Sequence, residues 1–452
     1  MKAVIVGCGK VGTELAATLV NDGHDVLVID NDADALEHAS EMIDIMTLCG
    51  NGADINILKE AGLQNADIFI AVSPYDELNL LSCVIAGSFG GIKTIARVRN
   101  PLYSKEYDFL KEKLGLSKII NPEYDAAREI YKLLQYPALS RIDNFANGKV
   151  IICTLHVREE HGLSGKSLME SRKESGCNIL ACAVCRNNEI TIPSGSFVIE
   201  TGDDITFVST VTEMKKFFAK LNINNNPVES CLITGGGTIA YYLTEKLLSK
   251  NKHVRIIEND EKRCQLLSEY FPEAEIIYGD GTDRKFLIKH GVQKADAFVA
   301  LTGIDEENVI IANYAKNCSD AKVITKINRT DLNDIVDALD IDSVVFPKFL
   351  CADKIAQYVR ALDNGIGGNI EKLFRYIDNR VEVMEFKATY DPKLCNISFT
   401  ELNLKKDIIV ACIIRDGEFI VPSGKNMIKD QDSVVIVTTN KGIFKLSDIL
   451  AK

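Results

Sequence analysis

Residues 2–16 read KAVIVGCGKVGTELA, and this stretch decides how the rest of the chain is understood. Its apolar opening predicts a short strand, and its end predicts an amphipathic helix. Between them Gly7-Cys8-Gly9-Lys10-Val11-Gly12 forms a glycine-rich turn. A GxGxxG pattern alone is weak evidence. Here a strand precedes it, a helix follows, and Asp30 closes the next predicted strand eighteen residues past Gly12, which completes a dinucleotide fingerprint. Gly7 permits the tight turn, Gly9 lets the backbone approach a diphosphate, and Gly12 lets helix and sheet pack closely. The phosphates would meet free N–H groups at the start of the helix. Asp30 would accept hydrogen bonds from a ribose and repel a 2′-phosphate, which disfavours NADP.

Outward from this loop, DVLVI, IDIMTL, DIFIAV and KTIARV continue the strand series, with helical patterns such as VGTELAATLV and DINILKEAG between them. That alternation predicts a doubly wound parallel sheet. A sixth strand, KII at 118–120, leads into NPEYDAAREIYKLLQYP, a helix that starts near one proline and stops before another. From about Gly148 the texture changes to strand-rich segments, VIICTLHV, NILACAVC, EITIP and DITFV, with short helices between.

The pattern then starts again. Gly7 maps to Gly235 and Asp30 to Glu258 with a shift of 228; GNGAD from Gly50 maps to GDGTD from Gly279 with a shift of 229. DELN ending at Asn79 matches DEEN ending at Asn308, Arg97 matches Lys326, and the second strand-rich texture begins near Val381. A register held this long marks a duplication. The polar stretch NINNNP around Asn224 separates the halves. The expected fold class is α/β: two Rossmann-like parallel-sheet domains, each followed by a small α+β domain. The expected boundaries are 1–138, 139–224, 225–364 and 365–452.

The second glycine loop, Gly235-Gly236-Gly237-Thr238-Ile239-Ala240, is a GxGxxA variant with Glu258 in the acid position. Polar clusters follow the later strands in both halves, on the side where such sheets bind ligands. They are Gly52 and Asp54, Ser73 to Asn79, and Arg97 with Arg99; their counterparts are Gly281 and Asp283, Thr302 to Asn308, and Lys326. Asp54 and Asp283 also suit helix caps.

With 452 residues, the chain has room for two to four domains. Its net charge of −12 argues against duplex nucleic acid as a partner. No apolar run approaches a membrane span, and Met1 stands directly before the first strand, so a cytosolic chain is expected. The thirteen cysteines are then expected to be reduced, many of them as small buried apolar groups.

Catalytic and metal motifs fail on context. A dehydrogenase needs an acid–base group facing the nicotinamide. Tyr242 and Lys246 spell YxxxK, but on the loop helix itself, and the first half has ELAATL there. Gly162-Leu-Ser-Gly165-Lys166-Ser167 lacks the first glycine of a Walker loop and reads as a turn into a helix. Cys182 and Cys185 are spaced CxxC within a strand, which sends them to opposite faces. His156 and His161 have no clustered ligands around them. No metal and no catalytic residue is expected, so the nucleotide is read and not reacted.

Taken together, IVGCGKVG with Asp30, GNGAD, AVSPYDELN, ARVRNP, LITGGGTIA with Glu258, YGDGTD and ALTGIDEEN resemble the TrkA family, built from tandem RCK (KTN) modules. The resemblance covers essentially the whole chain. It implies a regulatory, non-enzymatic subunit at the inner face of the plasma membrane, assembled as a homo-oligomer (a dimer or tetramer ring) on a TrkH- or TrkG-type potassium-translocating subunit. It also implies NAD(H) or ATP/ADP as ligands. Gly7 to Val11 and Gly235 to Ile239 would hold phosphates, with Asp30 and Glu258 on ribose. Gly52, Ser73 and Thr302 would line the base or ribose, Arg97 would reach a terminal phosphate, and Asn51, Asp280 and Lys326 would also contact the cofactor. The helix containing Tyr124 to Gln135 resembles a dimer-building crossover element. Lys326 makes a poorer bidentate phosphate contact than Arg97, so the first half is expected to be the better adenine-nucleotide sensor.

Overall fold

In the computed structural model, residues 1–104, 106–223, 225–329, 332–339, 341–363, 370–376, 380–443 and 445–451 are described. The boundaries expected at Asn224 and Asn364 fall outside these residues.

Strands β1 (Lys2–Val6), β2 (Asp25–Asp30), β3 (Met46–Cys49), β4 (Ile68–Ala71), β5 (Lys93–Arg97) and β6 (Lys118–Ile120) form a parallel sheet in the order β3-β2-β1-β4-β5-β6. This is the doubly wound order, and its switch point lies between β1 and β4, where the first glycine loop emerges. The residues of β4 are all buried, because helices cover both faces of its sheet. The second half repeats the arrangement. Strands β12 (Ser230–Thr234), β13 (His253–Glu258), β14 (Glu275–Tyr278), β15 (Ala297–Ala300), β16 (Lys322–Lys326) and β17 (Ser343–Val345) pair in the order β14-β13-β12-β15-β16-β17.

Each strand-rich region is an antiparallel five-stranded sheet. Strands β7 (Leu139–Phe145), β8 (Val150–His156), β9 (Leu180–Arg186), β10 (Glu189–Thr191) and β11 (Asp204–Ser209) lie in the order β10-β9-β11-β8-β7. Strands β18 (Ile370–Tyr376), β19 (Val381–Lys387), β20 (Ile408–Arg415), β21 (Glu418–Ile420) and β22 (Ser433–Thr438) repeat that order. The first strand of each sheet escapes the sequence reading. LSRIDNF has little β-branched content, and its strand exists because β8 offers it a hydrogen-bonding edge.

The chain folds into two compact units that cut across the duplication. One contains Met1–Leu134 and Val228–Val359, the other Gln135–Pro227 and Arg360–Lys452. In the first unit, the two parallel-sheet domains meet through the helices that follow their sixth strands, Pro122–Gln135 and Pro347–Asp363. Asp125 on one forms an ion pair with Lys354 on the other. Asn121 Nδ2 donates to the Tyr242 hydroxyl at 2.9 Å, and that hydroxyl donates to the carbonyl of Arg99 at 2.9 Å. The rings of Tyr124 and Tyr242 meet edge to face at 5.4 Å. Tyr242 is therefore part of a buried contact between the two copies, and Lys246 lies over the Tyr131 ring. In the second unit the two antiparallel sheets share one core, with Phe145, Val150, Cys182 and Val208 packed among Tyr376, Val383, Cys412 and Val435.

Local chemistry accounts for the remaining motifs. Ser167 caps the helix Leu168–Ser175 in a capping box with Glu170, so the Walker-like stretch is a helix start. Cys182 is fully buried and bonds the carbonyl of Thr206, and burial pushes its thiol up to about 12. His156 Nδ1 lies 2.9 Å from Asp204 Oδ1, and burial holds His161 below its ordinary value.

Candidate nucleotide-binding sites

The first loop is built by backbone constraints. Gly7 N–H bonds the carbonyl of Ile29 at 2.8 Å, and its φ of +107° lies in the region that favours glycine. A Cβ on Gly12 would lie 1.8 Å from the Gly7 carbonyl oxygen, so only glycine lets this helix approach this loop. A Cβ on Gly9 would meet nothing within 4 Å. The protein's own packing gives no reason for glycine there; a closely approaching ligand does.

The helix Lys10–Asn21 starts with Gly9 as N-cap and has no side-chain cap. The helix Thr238–Leu248 starts the same way on Gly237. Asp32, Asp54, Asp260 and Asp283 each cap a neighbouring helix of the same domains by accepting its first amides. The two glycine loops are thus left with unsatisfied N–H groups and a positive dipole end. The side chains of Val11 and Ile239 are buried, so only their amides serve the loops, while Lys10 is exposed.

The acids are held facing these amides. Asp30 Oδ2 accepts from Cys8 N at 2.5 Å, and Oδ1 accepts from Asp32 N at 3.0 Å. Each carboxylate oxygen keeps a further lone pair, enough for the two hydroxyls of a ribose. Glu258 Oε2 accepts from Gly236 N at 2.6 Å, and Oε1 accepts from Asn259 N and Asp260 N at 2.8 and 2.9 Å. Its capacity for ligand hydroxyls is smaller.

Beyond the loops, the motif after the fourth strand is a brace. Fully buried Asn79 accepts from Ser73 N at 2.8 Å and donates to the carbonyls of Ser73 and Arg97, both at 2.9 Å. Asp76 Oδ2 accepts from the amides of Arg99 and Asn100. Asn308 and Asp305 repeat both sets of bonds with Thr302, Lys326, Asn328 and Arg329. Asn79 and Asn308 position the strand ends, and their repetition in DELN and DEEN was the available signal.

Other expected residues have structural partners of their own. Gly52 is packed so tightly that a Cβ would lie 2.2 Å from Val6 Cγ1. Asn51 Oδ1 accepts from Ala53 N, and Asp280 Oδ1 accepts from Thr282 N and its hydroxyl. Arg97 Nη2 donates to Glu123 Oε1 at 2.8 Å, and Arg97 Nε and Glu123 Oε2 are buried without hydrogen-bond partners. To meet a phosphate, Arg97 would have to leave Glu123. Lys326 Nζ donates to the Thr302 carbonyl at 2.9 Å, and burial lowers its pKa below the ordinary lysine value.

One residue was missed altogether. Arg263, on the helix Glu261–Tyr270, sends Nε to the Gly236 carbonyl at 2.7 Å. Its counterpart in the first half is Ala35.

Two glycine loops of dinucleotide type in paired parallel-sheet domains, followed by two small antiparallel domains, define the class of protein. Comparison with known proteins narrows the class. The TrkA-N domain matches residues 3–122 and 231–347, and the TrkA-C domain matches 155–222 and 383–451. The chain belongs to the TrkA family. It is 31% identical over 451 residues to the Trk system potassium uptake protein TrkA homolog of Archaeoglobus fulgidus, covering 99% of this chain and 100% of that one. It is 28% identical to the Trk system potassium uptake protein TrkA of Haemophilus influenzae, covering 98% and 96%. Among solved structures, the GsuK channel bound to NAD matches with a TM-score of 0.63 and 16% identity, covering 97% of this chain and 77% of that one. The GsuK RCK domain matches with a TM-score of 0.62 and 17% identity, covering 97% and 92%. These structures support the fold.

Proposed function

We propose that this protein is the regulatory subunit of a Trk-type potassium uptake system. It binds NAD(H) or ATP/ADP at its two glycine loops and gates flux through a TrkH- or TrkG-type membrane subunit. The observation that carries this reading is the pair of uncapped helix starts, each facing a carboxylate held by the loop's own amides. That arrangement suits a ribose and a diphosphate. The Tyr242 hydroxyl is engaged with Asn121 and Arg99. The ligand is, in this reading, bound and not reacted. In this reading the protein works as a homo-oligomer at the inner face of the membrane, where no helix among its described residues is long and apolar enough to enter the bilayer.

A ligand shifts gating only through different affinities for two conformations. Glu123, the partner of Arg97, lies on the helix that carries the Asp125–Lys354 contact between the two copies. A ligand phosphate that competes for Arg97 would release Glu123 on that helix and so change the contact.

Calorimetric titration of the full chain with ATP, ADP, NAD and NADH tests the reading. Asp30→Ala is expected to weaken binding at the first loop by about tenfold or more, and Glu258→Ala to do the same at the second. Absence of binding to either loop would overturn the proposal. Flux through the reconstituted membrane subunit, with and without the tightest ligand, then tests gating.

A further inference from the structure

We propose that Arg263 reads a phosphate group of the nucleotide held by the second loop, through a tethered guanidinium that has no counterpart in the first half. This inference rests on the nucleotide-binding reading above. Three observations carry it.

The first is the geometry. Arg263 Nε donates to the Gly236 carbonyl at 2.7 Å, so one edge of the half-buried guanidinium is fastened to the loop that would hold the ligand. The second is the state of its other edge. Among the described residues, no protein group accepts from either Nη, and no carboxylate lies within ion-pair distance. Glu258, the acid of the second loop, is already held by the amides of Gly236, Asn259 and Asp260. A half-buried cation has lost part of its hydration, and a planar fork with free donors is the group that suits a phosphate.

The third is an exchange between the halves. The first loop has Lys10 where the second has Thr238, and the first half has Ala35 where the second has Arg263. The second half thus has a cation on the helix after the acid-bearing strand, where the first half has none. There it is tethered, whereas the exposed Lys10 is not. Leu267, one turn further along the same helix, packs so closely on Gly236 that a Cβ there would lie 2.5 Å from Leu267 Cδ1. Arg263 therefore stands on a helix whose distance from the loop is set by packing.

The test uses the full chain with Asp30→Ala, so that the second loop dominates the signal, and adds Arg263→Ala or Arg263→Lys. Calorimetry is run with adenosine, ADP and adenosine 2′,5′-bisphosphate, and thermal melting without ligand checks that each variant folds. Arg263→Ala is expected to weaken a phosphorylated ligand about tenfold to a hundredfold and to leave adenosine unchanged. Arg263→Lys is expected to fall between, since it keeps the charge and loses the fork. Loss with ADP assigns the 5′-phosphates; loss confined to the bisphosphate assigns the ribose phosphate. Equal loss for adenosine makes Arg263 only a loop tether and overturns the proposal, as does unchanged binding of both phosphorylated ligands. If nothing binds the second loop even with Arg263 intact, the nucleotide-binding reading of that loop falls with it.

Discussion

The two glycine loops share a fold and differ in how they are packed. In the first, the Cys8 side chain fills the space above the next helix, where Ala39 is small and Cys8 Sγ reaches the carbonyl of Ala35. In the second, Gly236 has no side chain, and Leu267 at the position of Ala39 fills the space instead. Interiors tolerate such reciprocal exchanges because they conserve volume. The third glycine differs too. Ala240 has a real Cβ and is fully buried, so the Gly235 carbonyl cannot lie relative to its helix as the Gly7 carbonyl does. A duplicated loop can thus keep its backbone course while rebuilding its support, and the rebuilt support places Arg263 beside the second loop.

The sharpest way to break this comparison is to exchange the third residues. Gly12→Ala is expected to destabilise the first parallel-sheet domain by about 3 kcal/mol, because its Cβ meets loop backbone that cannot rotate away. Ala240→Gly leaves only a small void and added backbone freedom, about 1 kcal/mol. Calorimetric melting of each variant checks this, and equal effects would mean the two loops are interchangeable. Next in size are the binding losses expected for Asp30→Ala and Glu258→Ala, and for Arg263→Ala in the second site alone.

A smaller effect concerns the strand beneath each loop. Thr234 replaces Val6, and its hydroxyl is buried without a hydrogen-bond partner. Thr325, where the first half has Ala96, is in the same condition. Thr234→Val is expected to raise stability by about 1 kcal/mol, and Val6→Thr to lower it by a similar amount. Denaturant midpoints measure both; a loss of stability in Thr234→Val would show that the hydroxyl has a stabilising role.

The smallest expected effect is pH-dependent. Burial lowers the Lys326 pKa, so the folded state gives up this proton at a lower pH than the unfolded state. The penalty is fully present below the lowered pKa. It is relieved as pH rises from there toward the ordinary lysine value, because the unfolded chain then binds more protons. Lys326→Met is therefore expected to be more stable than the parent at neutral pH, with the advantage shrinking toward pH 10. A constant difference between the two melting curves across that range would contradict the burial account. Arg97, at the matching position of the first half, is paired with Glu123.

Much of this was legible beforehand. The glycine loops, the acids at the ends of β2 and β13, and the duplication all depend on residue type at fixed local spacing. Asp54 and Asp283 are the helix caps their positions suggested. Strands β7 and β18 were not legible, because the edges of β8 and β19 decide them. Nor was the role of Asn79 and Asn308, whose side chains join the ends of neighbouring strands. The helix that resembled a dimer-building element joins the two copies within one chain.

By itself the sequence determined the fold class, the repeat and the course of the glycine loops, since periodicity and glycine placement act within a few residues of themselves. The tertiary structure alone decided that like domains pair across the duplication, that Arg97 is held by Glu123, and that Arg263 reaches the second loop. Each depends on which side chains pack together after distant segments meet. That choice follows from volume, desolvation and hydrogen-bond geometry in three dimensions, and spacing along the chain does not encode it.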